Sequence, residues 1–339
     1  MKRTLALILM ATLSIGSAFS QTSQRWKSER HSVYAGLGIN NFMGDLAGGR
    51  GDAAHFFGLK DFKFSDTRPA ATLGWRYRIL EPLSVRVDFS YAMMHADDSK
   101  SKNENRELRN LSFRSNTFEL GAKIDYYFIK EKEVARYSTF TRGSLFRNIS
   151  AYVFVGFGGL HFNPKAKYDG SWYALQPLHT EGQGTGYEYE TLNEDGVLVK
   201  VSPKDEYKLW AFTIPIGLGV KYRLTKKFAI SLEISNHYTT SDYLDDARSD
   251  YYFNYNDADY LAAVAAGKAN AAPSDLTPIL ADRHLVKDDA GNKVEATEPM
   301  LMGQMKRGDS SYNDAYIVTL ISLHYKFSNV GKSAKPKYN

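Results

Sequence analysis

The chain has 339 residues, a formal net charge of +5, 14% aromatic residues, 26 glycines and no cysteine. The lack of cysteine excludes a disulfide framework and an acylated cysteine anchor, so stability must come from elsewhere. Basic residues are scattered rather than massed, which argues against a nucleic-acid face. A negative mean hydropathy still permits a membrane barrel, whose strands alternate lipid-facing and lumen-facing residues.

Residues 1–20 read as a cleavable signal peptide. Lys2 and Arg3 precede an apolar run from Leu5 to Leu13, and the small residues Ala18 and Ser20 precede Gln21. The run is too short for a membrane-spanning helix. A short N-terminal segment over 21–30 is expected in the periplasm, followed by a barrel over 31–327 and a periplasmic tail over 328–339.

The barrel is predicted from strict alternation over segments of about ten residues, the length with which a tilted strand crosses a bilayer. The first, His31 to Asn40, sets Val33, Ala35, Leu37 and Ile39 against Ser32, Tyr34, Gly36 and Gly38. The second sets Leu73, Trp75, Tyr77 and Ile79 against Thr72, Gly74, Arg76 and Arg78. After a turn at Leu80–Pro82 the third sets Val85, Val87, Phe89 and Tyr91 against Ser84, Arg86, Asp88 and Ser90. The fourth opposes Phe118, Leu120, Ile124 and Tyr126 to Glu119, Gly121, Lys123 and Asp125. The fifth, Ser150 to Phe162, places Ala151, Val153, Val155 and Phe157 outward, although its other face also carries aromatics.

The sixth, Trp210 to Leu224, contains Pro215, which cannot donate a ladder hydrogen bond, so a bulge or a locally open pair is expected there. The seventh starts at Phe228 and the eighth runs from Tyr316 to Phe327. The expected fold is therefore all-β: a closed antiparallel transmembrane β-barrel of eight strands with long extracellular loops, in the bacterial outer membrane. Connection lengths alternate as such a barrel requires. Periplasmic turns are expected at Leu80–Pro82, Ile129–Asn148 and Thr225–Lys227, and outer loops at about 41–68, 94–110, 163–208 and 240–312.

In this register Arg76, Arg78, Arg86, Asp88, Glu119, Lys123, Asp125, Lys221, Arg223, Glu233 and Lys326 face the lumen. Both signs are present, so a paired polar filling is expected rather than a pore, since unpaired buried charges are costly.

Two loop segments stand out. One runs from Trp172 through Gln176, Pro177, His179, Thr180, Glu181, Gly182, Gln183 and Gly184; the other is Asp242-Tyr243-Leu244-Asp245-Asp246-Ala247-Arg248-Ser249-Asp250. The first carries no catalytic-triad or metal-ligand spacing and reads as a loop folded onto the barrel mouth through its aromatics. The second lacks the EF-hand glycine and bidentate Glu and reads as a salt-bridged loop base involving Arg248; calcium is the sharper alternative. A short helix is expected within Tyr260–Ala272. No cofactor and no catalytic or metal-binding residue is assigned.

The chain resembles the PorG-type outer-membrane barrels of the Bacteroidetes type IX secretion system. The stretches that carry the likeness include Asn41-Phe42-Met43-Gly44-Asp45-Leu46, Arg109-Asn110-Leu111-Ser112-Phe113-Arg114-Ser115 and Phe162-Asn163-Pro164 with the Gln176-to-Gly184 segment. Ile214 to Tyr222 and Ser241 to Asp246 complete them in order. The resemblance implies a non-enzymatic part of a protein-transport and gliding-motility apparatus, associated with a periplasmic ring of PorK-like and PorN-like subunits. The chain departs from that family in its long fourth loop and its Lys-rich tail Lys332–Lys337, and no loop contact or catalytic residue is carried over. Lys130, Lys132, Arg136, Arg142 and Arg147 are the expected docking residues for the ring. The alternative expectation is a structural or adhesive barrel that binds an external ligand through its loops.

Overall fold

A side chain that must meet lipid on one face of a strand and a polar interior on the other selects a single register, and that register sets the architecture. The computed structural model describes residues 26, 29–46, 64–101, 103–131, 148–192, 197–202, 205–249, 251–296 and 307–327. In chain order the strands are β1 (His31–Met43), β2 (Arg68–Leu80), β3 (Leu83–Asp97), β4 (Ser112–Ile129) and β5 (Ile149–His161). The third loop then carries β6 (Pro164–Tyr168), β7 (Ser171–Ala174), β8 (Tyr189–Leu192) and β9 (Leu198–Val201). Next come β10 (Trp210–Arg223) and β11 (Phe228–Thr239), the fourth-loop pair β12 (Leu285–Lys287) and β13 (Lys293–Glu295), and β14 (Ala315–Lys326).

Eight of these, β1 to β5 with β10, β11 and β14, pair antiparallel with their neighbours, and β14 closes on β1 from Ser32↔Lys326 to Met43↔Ala315. Closure leaves the barrel no unpaired edge. The outer wall is apolar: Leu37, Leu73, Leu120, Phe157 and Phe212 are each more than 60% exposed. Aromatic clusters mark both rims, with Trp75, Tyr77, Phe228, Tyr325 and Phe327 at the turn end and Trp210 against His161 at the loop end. Among the described residues, no helix is long and apolar enough to cross a membrane.

Several boundaries shift at the loop end. β1 and β3 run past their expected limits, to Met43 and Asp97, while β4 starts at Ser112, just after the expected loop 94–110. The reason is a second, apolar core above the polar lumen. Phe42 meets Phe113 edge-to-face at 4.9 Å, and Met94, Ala96, Leu160 and Phe162 are buried beside them. The fifth strand points Val153, Val155 and Phe157 outward as expected, but Ala151 is buried. At Pro215 the β10–β5 pairing skips from Thr213↔Gly158 to Ile216↔Val155 in the same register. The disturbance is thus a locally open pair without a bulge. The helix expected within Tyr260–Ala272 spans Ala258–Ala265.

Inside the lumen two tyrosines lie flat over cross-strand glycines. Tyr34 covers Gly74 and Tyr152 covers Gly219, and a Cβ added at Gly74 would stand 2.4 Å from the Tyr34 ring. Gly74→Ala would displace the ring and its hydrogen bond to Asp88 (2.9 Å), so a loss of about 1–3 kcal/mol is expected. Urea unfolding in micelles checks this against Gly159→Ala, where the added methyl meets open space and the cost should be markedly smaller.

Candidate functional site

The lumen residues come from six strands, and six of them, on β2, β3, β4 and β11, form one ion cluster. Arg76 Nε lies 2.8 Å from Asp125 Oδ2, and Arg86 Nε lies 3.1 Å from Asp125 Oδ1. Arg86 Nη1 donates to both oxygens of Glu233 at 2.9 and 2.8 Å, while Arg76 Nη2 reaches Glu233 at 3.5 Å. Lys123 pairs with Asp88 at 2.8 Å. Three cations thus meet three carboxylates with no excess of either sign, and the Tyr152 hydroxyl donates to Glu233 as well. The Arg86 guanidinium also stacks over Phe154 at 4.3 Å.

Nearer the loop end, Glu119 accepts from His237 Nδ1 (2.8 Å) and from the Tyr316 hydroxyl. At the turn end, Arg78 donates to the Glu81 carbonyl, Lys221 to the Tyr127 hydroxyl (3.0 Å) and Lys326 to Glu131, with Arg223 buried nearby. All eleven lumen residues named from the sequence are at most 8% exposed. Filled in this way, the lumen is packed with side chains, and two cavities in it, one lined by Arg76, Arg78, Lys221 and Lys326 and the other by Glu119, Lys123, Glu233 and His237, hold about 20 Å³ each.

The loop end is closed by a polar lattice hung on two arginines. Arg109 Nε and Nη2 grip Asp98 at 2.6 and 3.0 Å, and the same guanidinium donates to the carbonyls of Asp45 (2.8 Å) and Arg307 (2.7 Å). It thereby ties the first, second and fourth loops together. Arg307 reaches Glu181 (3.2 Å), Asp246 (3.3 Å), Thr180 (3.0 Å) and the Ala281 carbonyl (2.5 Å), joining the third loop to the fourth.

The motif residues occupy defined places in this lattice. Glu181 accepts the backbone N–H of Arg248 and Ser249, and Gln183 accepts that of Glu181. Asp246 is held by Thr180 and by the Tyr207 hydroxyl at 2.6 Å. Gln176 donates to the Tyr207 carbonyl, and Pro177 sits at the start of the short 3₁₀ turn Gln176–Leu178. Gly182 lies against the Phe253 ring, Gly184 beside His179, and Gly44 against Asp314 and Phe42. Asp45 accepts from Asp309 N (2.7 Å), and Asp245 accepts from Leu46 N (3.0 Å) and Ala247 N (3.1 Å). Tyr243 stacks on Tyr207 at 4.4 Å. Arg248 Nε stands 3.6 Å from Asp242, an ion pair without a hydrogen bond.

Charge in this cap is unbalanced toward acid. Burial, reinforced by neighbouring carboxylates, pushes Asp242 up to about 9 and drives Asp245 and Asp314 upward too. Burial likewise pushes Asp45 up to about 7, and pushes Asp246 up to about 6 against the opposing pull of Arg307.

A hydroxyl–imidazole–carboxylate chain, Ser235 Oγ to His237 Nε2 (3.0 Å) and His237 Nδ1 to Glu119 (2.8 Å), is buried in the lumen, and His179 and Asp245 at the loop end do not pair with each other. His179 reaches Glu206 at 3.6 Å, whereas Asp245 is taken up by backbone donors. Nor does any group of three or more His, Cys, Asp and Glu among the described residues form a metal cage. Arg307, Asp98 and Asp314 were not marked by any sequence signal; they sit in loops without periodicity. Of the docking residues, Lys130 pairs with Glu81 at 3.3 Å. Lys132, Arg136, Arg142 and Arg147 lie outside the described residues, as do residues 1–20 and the tail 328–339.

An antiparallel barrel closed strand to strand, apolar outside and charge-filled within, is a membrane-spanning β-barrel. The family model for the outer membrane protein beta-barrel domain matches residues 5–264, and the chain belongs to that family of outer-membrane proteins. No curated protein sequence matches it.

Solved structures similar to it include Neisserial surface protein A, at 9% identity and TM-score 0.36, covering 88% of this chain and 97% of that one. Ail of Yersinia pestis, in complex with the heparin analogue sucrose octasulfate, matches at 9% identity and TM-score 0.33, covering 88% and 99%. The N-terminal β-barrel domain of Pseudomonas aeruginosa OprF matches at 8% identity and TM-score 0.30, covering 88% and 98%. At such identities nothing about ligand or partner passes from these proteins to this chain.

Proposed function

We propose that this chain is a non-enzymatic barrel of a type IX, PorG-like secretion machine, anchoring or organising a periplasmic ring at the outer membrane, with its loop end outward. The observation that carries the anchoring role is the balanced ion cluster of Arg76, Arg86, Lys123, Asp88, Asp125 and Glu233, which fills the lumen where a conduit would need water. In this reading a barrel with a side-chain-filled lumen contributes through its surfaces. Assignment to a secretion machine is supported by the sequence resemblance, and docking by the basic connection between β4 and β5 together with the C-terminal tail. PorK-like and PorN-like ring subunits are the partners in this reading, alongside outer-membrane lipid.

Replacing residues 132–147 by a short turn is expected to leave the heat-modifiable barrel intact on gels and to abolish co-purification of the ring from solubilised outer membranes. Unchanged co-purification would overturn the docking role. A second reading, a surface barrel that binds an external ligand, is favoured by the ordered cap built on Arg109 and Arg307. Deleting the outer loops would then remove surface binding while secretion stayed normal.

A further inference from the structure

A cleft of about 290 Å³ opens in the loop cap beside the top of β11, and its polar wall is made of the oxygen-bearing side chains Asp205, Thr240, Ser241, Asp242 and Asn313 with the guanidinium of Arg248 at one side. Asp242 is the informative one. It is only 3% exposed, yet neither of its carboxylate oxygens has a hydrogen-bond donor. Arg248, its nearest cation, stands off at 3.6 Å, and the Arg248 Nε likewise makes no hydrogen bond. A buried carboxylate left in this state is costly unless something in the cleft completes it.

The surroundings increase the shortage of positive charge. Behind Asp242 lie Asp45, Asp245 and Asp314, all close enough to repel one another, with Glu181 beyond. Asp314 is 1% exposed and also keeps one oxygen, Oδ1, without a donor. The guanidinium of Arg109 is already committed to Asp98 at 2.6 Å, and that of Arg307 to Glu181 at 3.2 Å and Asp246 at 3.3 Å.

We propose that this cleft binds a divalent cation, Ca²⁺ by the chemistry of its donors, on the carboxylate of Asp242, with Asp205 and the neighbouring hydroxyl and amide oxygens around it. The donors are all oxygen, which suits a hard ion that fills remaining positions with water. Two carboxylates with neutral oxygens make a weak and open site, distinct from a cage of three or more acidic ligands. An organic ammonium is disfavoured because the aromatic faces are taken. Tyr243 lies between Tyr207 at 4.4 Å and the Arg248 guanidinium at 5.4 Å, and the far face of Tyr207 meets Phe162 at 6.5 Å. The site stands whether or not the secretion reading holds.

The test uses the full barrel in detergent micelles after chelator treatment, with Tb³⁺ as probe, its emission sensitised by the adjacent Tyr207 and Tyr243. Saturable Tb³⁺ emission, displaced by Ca²⁺ with a Kd of about 0.1–1 mM, is expected from the range of exposed extracellular sites. Asp242→Asn should weaken Ca²⁺ by about tenfold or more, whereas Asp289→Asn, an exposed carboxylate in the turn between β12 and β13, should leave it unchanged. Heat-modifiability on gels confirms that each variant is a folded barrel. Should Asp242→Asn fail to fold, Asp205→Asn, at an exposed position, takes its place with a clear loss of affinity expected. Absence of saturable emission, or unchanged Ca²⁺ affinity in the folded variant, overturns the site and leaves the carboxylates to hold protons instead.

Discussion

Glu233→Ala is expected to lower the unfolding free energy of the barrel by about 3–5 kcal/mol, the usual cost of removing one partner from a buried ion pair. Glu233 is the acceptor on which Arg86 and Arg76 both close, and the Tyr152 hydroxyl donates to it as well. Its loss leaves two guanidinium groups, 1% and 3% exposed, sharing the carboxylate of Asp125, with Asp88 only at 3.9 Å from Arg86 and already paired with Lys123. Desolvation without compensation dominates that balance, because both guanidinium groups are buried.

The double variant Arg86→Met with Glu233→Leu removes one charge of each sign and leaves Arg76 with Asp125 and Lys123 with Asp88 still paired. It should therefore cost less than Glu233→Ala alone. Guanidinium unfolding in micelles, followed by tryptophan emission, compares the three proteins. A single variant as stable as the parent, or a double variant worse than the single, would show that the cluster does not hold the lumen together.

Arg307→Ala should open the loop cap while the barrel persists. Its guanidinium is the one cation bonded to Glu181 and Asp246 among the described residues, and it also donates to Thr180 and to the Ala281 carbonyl. Truncation strands two buried carboxylates, so the local opening free energy is expected to fall by about 3–5 kcal/mol. Limited proteolysis should then cut within 176–184 and 242–248, and amide exchange there should accelerate, while the strands stay protected. Arg307→Lys should restore little, because one ammonium cannot serve acceptors spread around a planar fork. Unaltered protection of those segments in Arg307→Ala would remove Arg307 from its place as keystone.

Much of the barrel was legible because strand periodicity is local. Each charge on one face of β2, β3, β4, β10 and β11 alternates with an apolar neighbour, so the direction of Arg86 or Glu233 follows from its immediate context. What no local pattern contains is which of those charges meet. Arg86 and Glu233 are 147 residues apart, and only the closure of β14 onto β1 brings their strands around a common lumen. The strand ends were misjudged for a related reason. Beyond the membrane the selection for a lipid-facing row ceases, and β1 and β3 continue on the strength of contacts such as Phe42 with Phe113.

The loops show the same division more sharply. Glu181, Gln183, Asp245 and Asp246 drew notice as residues too specific for loose chain, yet their partners did not, because Arg307 and Asp314 sit in aperiodic segments. The sequence by itself determined a lipid-facing wall, a charged interior and eight crossings, since alternation and connection length are properties of neighbouring residues. Only the tertiary structure decided that six of the lumen charges close into a balanced cluster, that two arginines lock four loops into a cap, and that Asp242 faces a cleft with its oxygens unmet. Those outcomes depend on distances between residues far apart in the chain, which closure of the barrel alone sets.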